Sequence, residues 1–267
     1  MIYFSDLDRT LIYSNKFIGK EKKEICIETL DGEEISYISP KSIEYLREIL
    51  KYKKFIPATT RSIEQFERIN FKEKGINFEW SIVSNGANIF YKGQVVKEWK
   101  QILNLKLKTC GSLKCVMESF KKEYSNLNGI SKIRMVDDVF FYIVINKENF
   151  DESNIERFRE FLLIFKWNLY VNGHKIYFLP EVINKEAAVE FVSNYLNEKR
   201  FGVIGDSIMD LNMLKLAYKA YIPKGSYIEN YKFNCNTFIS LKNGFYGTEE
   251  ILKEIFMKKS LKYVKKD

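Results

Sequence analysis

The sequence predicts an α/β protein: a doubly wound, mostly parallel sheet with a small α/β domain inserted into it. Two observations carry that prediction. Short apolar runs alternate with amphipathic stretches towards both ends of the chain, the pattern of parallel strands joined by crossover helices. Between about residues 90 and 182 the texture changes to paired β-prone arms and helices, the pattern of a separate module. The expected division is therefore a core of residues 1–89 and 183–267 and an insert of residues 90–182.

In chain order, MIYFS is the first strand. Residues 26–38, CIETLDGEEISYI, set Asp31-Gly32 between two β-prone arms, which favours a tight hairpin overhanging that strand's C-terminal end. Residues 41–53 carry Ile43, Leu46, Ile49 and Leu50 at helical spacing behind Pro40, a start signal. KFIPA is the next strand; Pro57 lacks an N–H, so this strand is expected to end early. The helix SIEQFERI follows, with Ser62 and Gln65 as a capping pair, and then the strand SIVSN. In the insert, KIRMV and VFFYIVI form one pair of strands and NLYVN and KIYFL another, turning at Gly173-His174, with a helix from about Glu152 to Phe165. The core pattern returns with a helix over 185–199, the strand FGVIG, a helix from Ser207 to Leu216, and the strands AYIP and TFISL.

At 267 residues, 46% hydrophobic and 29% charged, the chain has an ordinary globular balance and enough length for two cores. No apolar run is long enough to span a bilayer, and Asp6 and Asp8 stand where a signal peptide would be apolar. A cytoplasmic protein with no membrane partner is expected. The net charge of +8 is spread along the chain, and its one dense run, KKSLKYVKK at 258–266, reads as a solvated helix end or frayed terminus. Without a basic stripe interleaved with exposed aromatics no nucleic-acid partner is expected, while small anionic substrates remain compatible. Cys26, Cys110, Cys115 and Cys235 form no zinc pattern and read as free thiols. His174 is the only histidine, which leaves histidine triads and zinc sites almost nothing to draw on.

The chemistry-bearing residues sit where strands end. In DLDRT, Asp6 and Asp8 lie two apart and project together from the C-terminal edge of the first strand, the edge where open α/β sheets place their ligands. In GDSIMD, Asp206 follows a second strand and Asp210 lies one helical turn on. Ser207 and Asp210 also fit a helix cap, which accounts for Asp210 better than for Asp206. Carboxylates converging on one edge repel one another unless a cation sits among them, and hard oxygen ligands point to Mg2+. Thr59 and Thr60 end the strand KFIPA, and one of their hydroxyls is spare because Ser62 already caps the next helix. Lys185 opens a helix, where a cation opposes the macrodipole; an unfavourable lysine there either has a task or is simply a solvated side chain.

DLDRT, TTR, a lysine before an amphipathic helix, and GDSIMD, in this order, resemble the four motifs of the haloacid dehalogenase (HAD) superfamily of phosphatases, which have a Rossmann-like core. The insert and SNGANI at 84–89 resemble the subclass with an α/β cap between the second and third motifs, which includes Cof-type and sucrose-phosphate phosphatases and phosphomannomutases. The resemblance implies that Asp6 is the nucleophile, Asp8 the acid and base, Thr59 a phosphate-oxygen donor and Lys185 the cation between Asp6 and phosphate. It implies Mg2+ held by Asp6, the backbone carbonyl of Asp8 and Asp206, with Asp210 as a further ligand or a support, and a side chain of Asp8 that stays off the metal. Met209 stands where asparagine is common in the fourth motif, and Thr60 where glycine is common beside Thr59.

Candidate substrate contacts are Thr60, Arg61, Asn85 and Gly86 at the strand ends and His174 in the insert, where Tyr142, Tyr170 and Tyr177 also offer stacking faces. Arg61 also has the simpler reading of a partner for an acid, and His174 that of a turn residue. The expected activity is Mg2+-dependent hydrolysis of a small phosphorylated metabolite, a sugar phosphate by class, through an aspartyl-phosphate. Two alternatives stay open: a phosphosugar mutase of the phosphomannomutase type, and a non-catalytic phosphometabolite-binding protein on the same scaffold.

Overall fold

The computed structural model describes residues 1–19, 23–124 and 126–258. Of the basic run 258–266, everything past Lys258 lies outside the described residues. The chain divides into two compact units, residues 1–94 with 185–267, and residues 95–184. The expected seam at residue 90 falls inside the strand Asn88–Tyr91, which pairs with Trp80–Val83 in the first unit.

The first unit is built on a parallel sheet in the order Asn236–Asn243, Lys219–Lys224, Phe201–Ile204, Ile2–Ser5, Lys54–Pro57. Successive strand residues face opposite sides. Tyr3, Phe55 and Tyr221 join one core with Ile43, Leu46 and Ile49 of the helix Pro40–Leu50 and with Ile251, Leu252 and Ile255 of the helix Gly244–Met257. The helices Lys185–Tyr195 and Leu211–Lys215 contact each other, and the second of them contacts Phe201–Ile204. Ser39 starts Pro40–Leu50 by accepting the Ser42 N–H at 3.1 Å, with Pro40 in the first turn where no N–H is needed. The helix Gly244–Met257 follows the last strand and ends where the basic run begins; its body is not predicted from the sequence.

Two departures have local causes. SIVSN does not extend the central sheet: Trp80–Val83 pairs antiparallel with Asn88–Tyr91 in a separate small sheet. Pro57 has no N–H to offer that neighbour; the two strands lie side by side, but their backbone bonding is a single Ala58–Ile82 bridge with a 2.9 Å bond from Thr59 N–H to Ile82 O. The helix from Ser207 is broken into a 3-10 turn, Ile208–Asp210, and a short helix, Leu211–Lys215.

The hairpin pairs Ile25–Leu30 with Glu33–Ile38, and Asp31 and Gly32 both adopt positive φ, as a two-residue turn of this hand requires. Tyr13–Ser14 adds a third strand to it.

The second unit is an antiparallel sheet in the order Trp167–Asn172, Lys175–Pro180, Phe140–Ile145, Ile130–Val136. Phe120 and Phe158, from the helices Leu113–Tyr124 and Asn154–Leu163, pack against Phe141 and Phe178. Tyr170 stands opposite Tyr177, and Tyr177 opposite Tyr142, in one cross-strand row. Gly173, at positive φ, and exposed His174 form the turn between two of the strands.

Candidate active site

The first strand hands its last hydrogen bond to the site. Asp6 N–H donates to Ile204 O at 2.9 Å, and Ala58 N–H donates to Ser5 O at 2.7 Å, so the ends of three neighbouring strands are tied together where the acids begin. The chain then turns at once: the N–H groups of Thr10, Leu11 and Ile12 all donate to Leu7 O, which forces Arg9 into the left-handed region at φ 61°. That turn sends Asp6 and Asp8 into different surroundings. Asp6 is buried, whereas 52% of the Asp8 side chain is exposed.

Asp6, Asp206 and Asp210 are all buried and each offers a carboxylate oxygen within 4.8 Å of the others. The Asp8 carboxylate is not in that group. Lys185, only 1% exposed, lies across two of the acids: its Nζ donates to Asp6 Oδ1 at 2.6 Å and to Asp210 Oδ1 at 2.7 Å. The other Asp210 oxygen, Oδ2, accepts from Asp206 N–H at 3.2 Å, Ser207 N–H at 3.0 Å and Ser207 Oγ at 2.8 Å. The cap read from Ser207 and Asp210 is thus formed, and both Asp210 oxygens are engaged within the protein.

Burial dominates the electrostatics. It raises the Asp6 carboxyl to about 7 from its ordinary 3.8; Lys185 opposes that rise, and Asp210 and Asp8 add to it. Asp206 is likewise pushed well above the ordinary carboxylate range, by burial first and then by Asp6 and Asp210. Lys185 moves the other way: burial works against its charge, but Asp210 and Asp6 outweigh it and hold the ammonium above its ordinary range. One lysine facing three buried carboxylates leaves negative charge uncompensated. Arg9, with Nε at 3.4 Å from Asp206 Oδ2, adds a further cation from the rim, its guanidinium 4.7 Å from the Tyr227 ring centroid. Asp6 and Asp206, buried hard oxygen donors beside the engaged Asp210, with negative charge in excess, fit Mg2+.

Thr59 is fully buried, its Oγ1 accepting the Arg61 N–H at 3.2 Å, while Thr60 is half-buried. The segment after Trp80–Val83 is fastened to the same loop. Ser84 N–H donates to Arg61 O at 2.7 Å and Asn85 N–H to Thr59 O at 2.9 Å. Ser84, Asn85 and Gly86 all adopt positive φ there, and Asn85 and Gly86 are buried. Thr59, Thr60, Arg61, Asn85 and Gly86 are therefore gathered in the first unit with the acids, whereas His174 belongs to the second. Met209 is buried beside the acidic turn.

Arg61 is paired with an acid. It makes a two-pronged contact with Asp8, Nε to Oδ2 and Nη2 to Oδ1, each 2.8 Å. Its Nη1 donates to Glu28 Oε2 at 2.9 Å, and Glu28 is held in turn by Arg68. Arg9, Glu28 and Arg68 were not read from the sequence. A glutamate amid apolar residues in one hairpin arm was the single visible signal for Glu28.

No family model matches the sequence, and no curated protein matches it. Solved structures do. The sucrose-phosphatase of Synechocystis, determined with sucrose and phosphate, superimposes with a TM-score of 0.68 at 13% identity, over 96% of this chain and 97% of that one. A phosphatase of the HAD superfamily from Bacteroides thetaiotaomicron gives 0.59 at 14% identity, over 95% and 94%. A haloacid dehalogenase-like hydrolase from B. subtilis gives 0.60 at 17% identity, over 94% and 98%. Over nearly its whole length, then, the chain has the fold of the HAD-superfamily phosphatases.

Proposed function

We propose that this protein is a Mg2+-dependent phosphomonoesterase acting on a small phosphorylated metabolite through an aspartyl-phosphate. The observation that carries the proposal is Lys185. A fully buried ammonium bonded to Asp6 and Asp210 beside a third carboxylate is expensive to desolvate, and phosphoryl transfer is a reaction that repays it.

In this reading the Asp6 carboxylate attacks phosphorus, an O–P bond forms, and the ester O–P bond breaks as the leaving oxygen takes a proton from Asp8. Asp8 then removes a proton from water, which attacks the aspartyl-phosphate and releases inorganic phosphate and the Asp6 carboxylate. Lys185 stabilises charge between Asp6 and the phosphate oxygens, and the Thr59 hydroxyl hydrogen-bonds one of those oxygens. Bound Mg2+, held by Asp6, Asp206 and the backbone carbonyl of Asp8, would offset the charge of the carboxylates and the phosphate. Asp210, its oxygens taken by Lys185, Ser207 and the Asp206 N–H, would support the lysine and the loop. Thr60, Arg61, Asn85 and Gly86 would be substrate contacts of the first unit, and His174 one of the second.

A sugar phosphate is the substrate class this reading favours, supported by the likeness to the sucrose-phosphatase. Phosphate release from a panel of hexose, disaccharide and glycerol phosphates, with Mg2+ and with EDTA, tests it. Release from at least one ester that stops in EDTA and returns with Mg2+ is expected; no release above background from any ester contradicts the proposal.

A further inference from the structure

Beside the acid cluster lies a second group of charges in which a deeply buried glutamate is fully partnered. Glu28 is 1% exposed. Its Oε1 accepts Arg68 Nε at 3.0 Å and Nη2 at 2.8 Å, and its Oε2 accepts Ser36 Oγ at 2.5 Å and Arg61 Nη1 at 2.9 Å. Those four bonds fill the acceptor positions of a carboxylate. Pairing in the hairpin slips between Cys26 and Glu28, and this bulge lets Ile27 and Glu28, neighbours in sequence, both be buried. A buried ion pair adds little net stability over an apolar filling, so stability alone is a poor account of a glutamate here.

Arg61 connects this group to Asp8. One edge of its guanidinium grips both Asp8 oxygens at 2.8 Å, while Nη1 is anchored on Glu28 and on Gln65 O at 3.3 Å. A carboxylate half in water samples several rotamers unless something fixes its plane, and a two-pronged guanidinium does so.

We propose that Glu28 is a positioning residue for proton transfer: by fixing Arg61 it sets the orientation in which the Asp8 carboxylate meets the leaving oxygen. The inference rests on the phosphomonoesterase reading, and it makes the hairpin of residues 25–38 part of the machinery although none of its groups touches the reacting atoms. When one Asp8 oxygen leaves Arg61 it takes up a proton from solvent and passes it to the leaving oxygen, and the carboxylate so formed is recaptured by the anchored guanidinium.

Proton donation matters for alkyl esters, whose leaving oxygen is strongly basic, and little for p-nitrophenyl phosphate, whose phenolate leaves unprotonated. The test compares Glu28→Gln with wild type on p-nitrophenyl phosphate and on the hexose or glycerol phosphate that wild type cleaves fastest. Glu28→Gln is expected to lower kcat on the alkyl ester by about tenfold or more, with KM within about twofold and the aryl ester within about threefold. If circular dichroism shows that Glu28→Gln does not fold, Arg68→Lys, which keeps a cation but cannot repeat both guanidinium bonds to Glu28 Oε1, must show the same split between esters. Equal losses on both esters, or no loss on either, overturn the positioning role while leaving phosphomonoesterase activity intact. Wild type that cleaves the aryl ester alone also overturns it. Wild type that cleaves neither ester removes the phosphomonoesterase reading and this inference with it.

Discussion

Asp6 sits in a sharp electrostatic conflict. It is buried beside two other acids, and its one close cation is shared with Asp210. Because burial raises its folded-state value from 3.8 to about 7, the folded protein binds the proton more tightly than the unfolded chain does. The stability this contributes is complete below the ordinary carboxylate value and is lost as pH rises from 3.8 to about 7; Asp206 adds a loss of the same sign. In EDTA the melting temperature is therefore expected to fall across that interval, followed by scanning calorimetry at stepped pH. Mg2+ at neutral pH should recover the loss by binding the folded state alone, and Asp6→Asn should flatten the fall. A melting temperature in EDTA that is level or rises over the same range would contradict this electrostatic picture.

At the level of elements, the strand ends set the site. Gly205 closes the strand Phe201–Ile204, and a Cβ built there would meet Asp210 Cβ at 2.6 Å and Cγ at 2.9 Å. Gly205→Ala must therefore displace the acid that holds Lys185. A stability loss of about 1–3 kcal/mol from overpacking is expected, with ester hydrolysis down by about a hundredfold in protein that is still folded. Denaturant titration and initial rates check the two separately, and a rate within twofold of wild type would mean that the Asp210–Lys185 bond does not govern the chemistry.

The same strand ends explain what the sequence makes legible. DLDRT, TTR, Lys185 and GDSIMD stand out because each places a polar or charged residue beside the end of an apolar run or at a helix start; spacing does not say which way they point, since Asp6 and Asp8, expected to project together, are parted by the turn at Leu7. The capping pairs of Ser62 with Gln65 and Ser207 with Asp210 are legible for the same local reason, and both are formed. Glu28 is not legible, because its inward face depends on a bulge that alternation cannot anticipate. Nor is Arg9, whose reach to Asp206 follows from a left-handed turn that its neighbours' bonds to Leu7 impose. Trp80–Val83 reads correctly as a strand, but its departure from the central sheet follows from pairing across a proline rather than from its own residues.

Across the whole molecule, two units share one chain, and the acids, Lys185, the threonines and the Arg61–Glu28 link all belong to the first. The second supplies a sheet with tyrosines in register and a lone histidine at a turn. On the proposed phosphomonoesterase reading, the groups that would make and break bonds all lie in the first unit, and Asp6 is the residue on which that reading depends. The most direct measurement is a paired one on wild type and Asp6→Asn with Mg2+ and a cleaved phosphomonoester. Reactions are quenched in acid during turnover, and the peptide containing Asp6 is analysed by mass spectrometry beside the steady-state rate. Wild type is expected to carry a phosphoryl group on that peptide and Asp6→Asn none, with hydrolysis reduced by about a thousandfold or more. An Asp6→Asn protein that hydrolyses the ester as fast as wild type would contradict it.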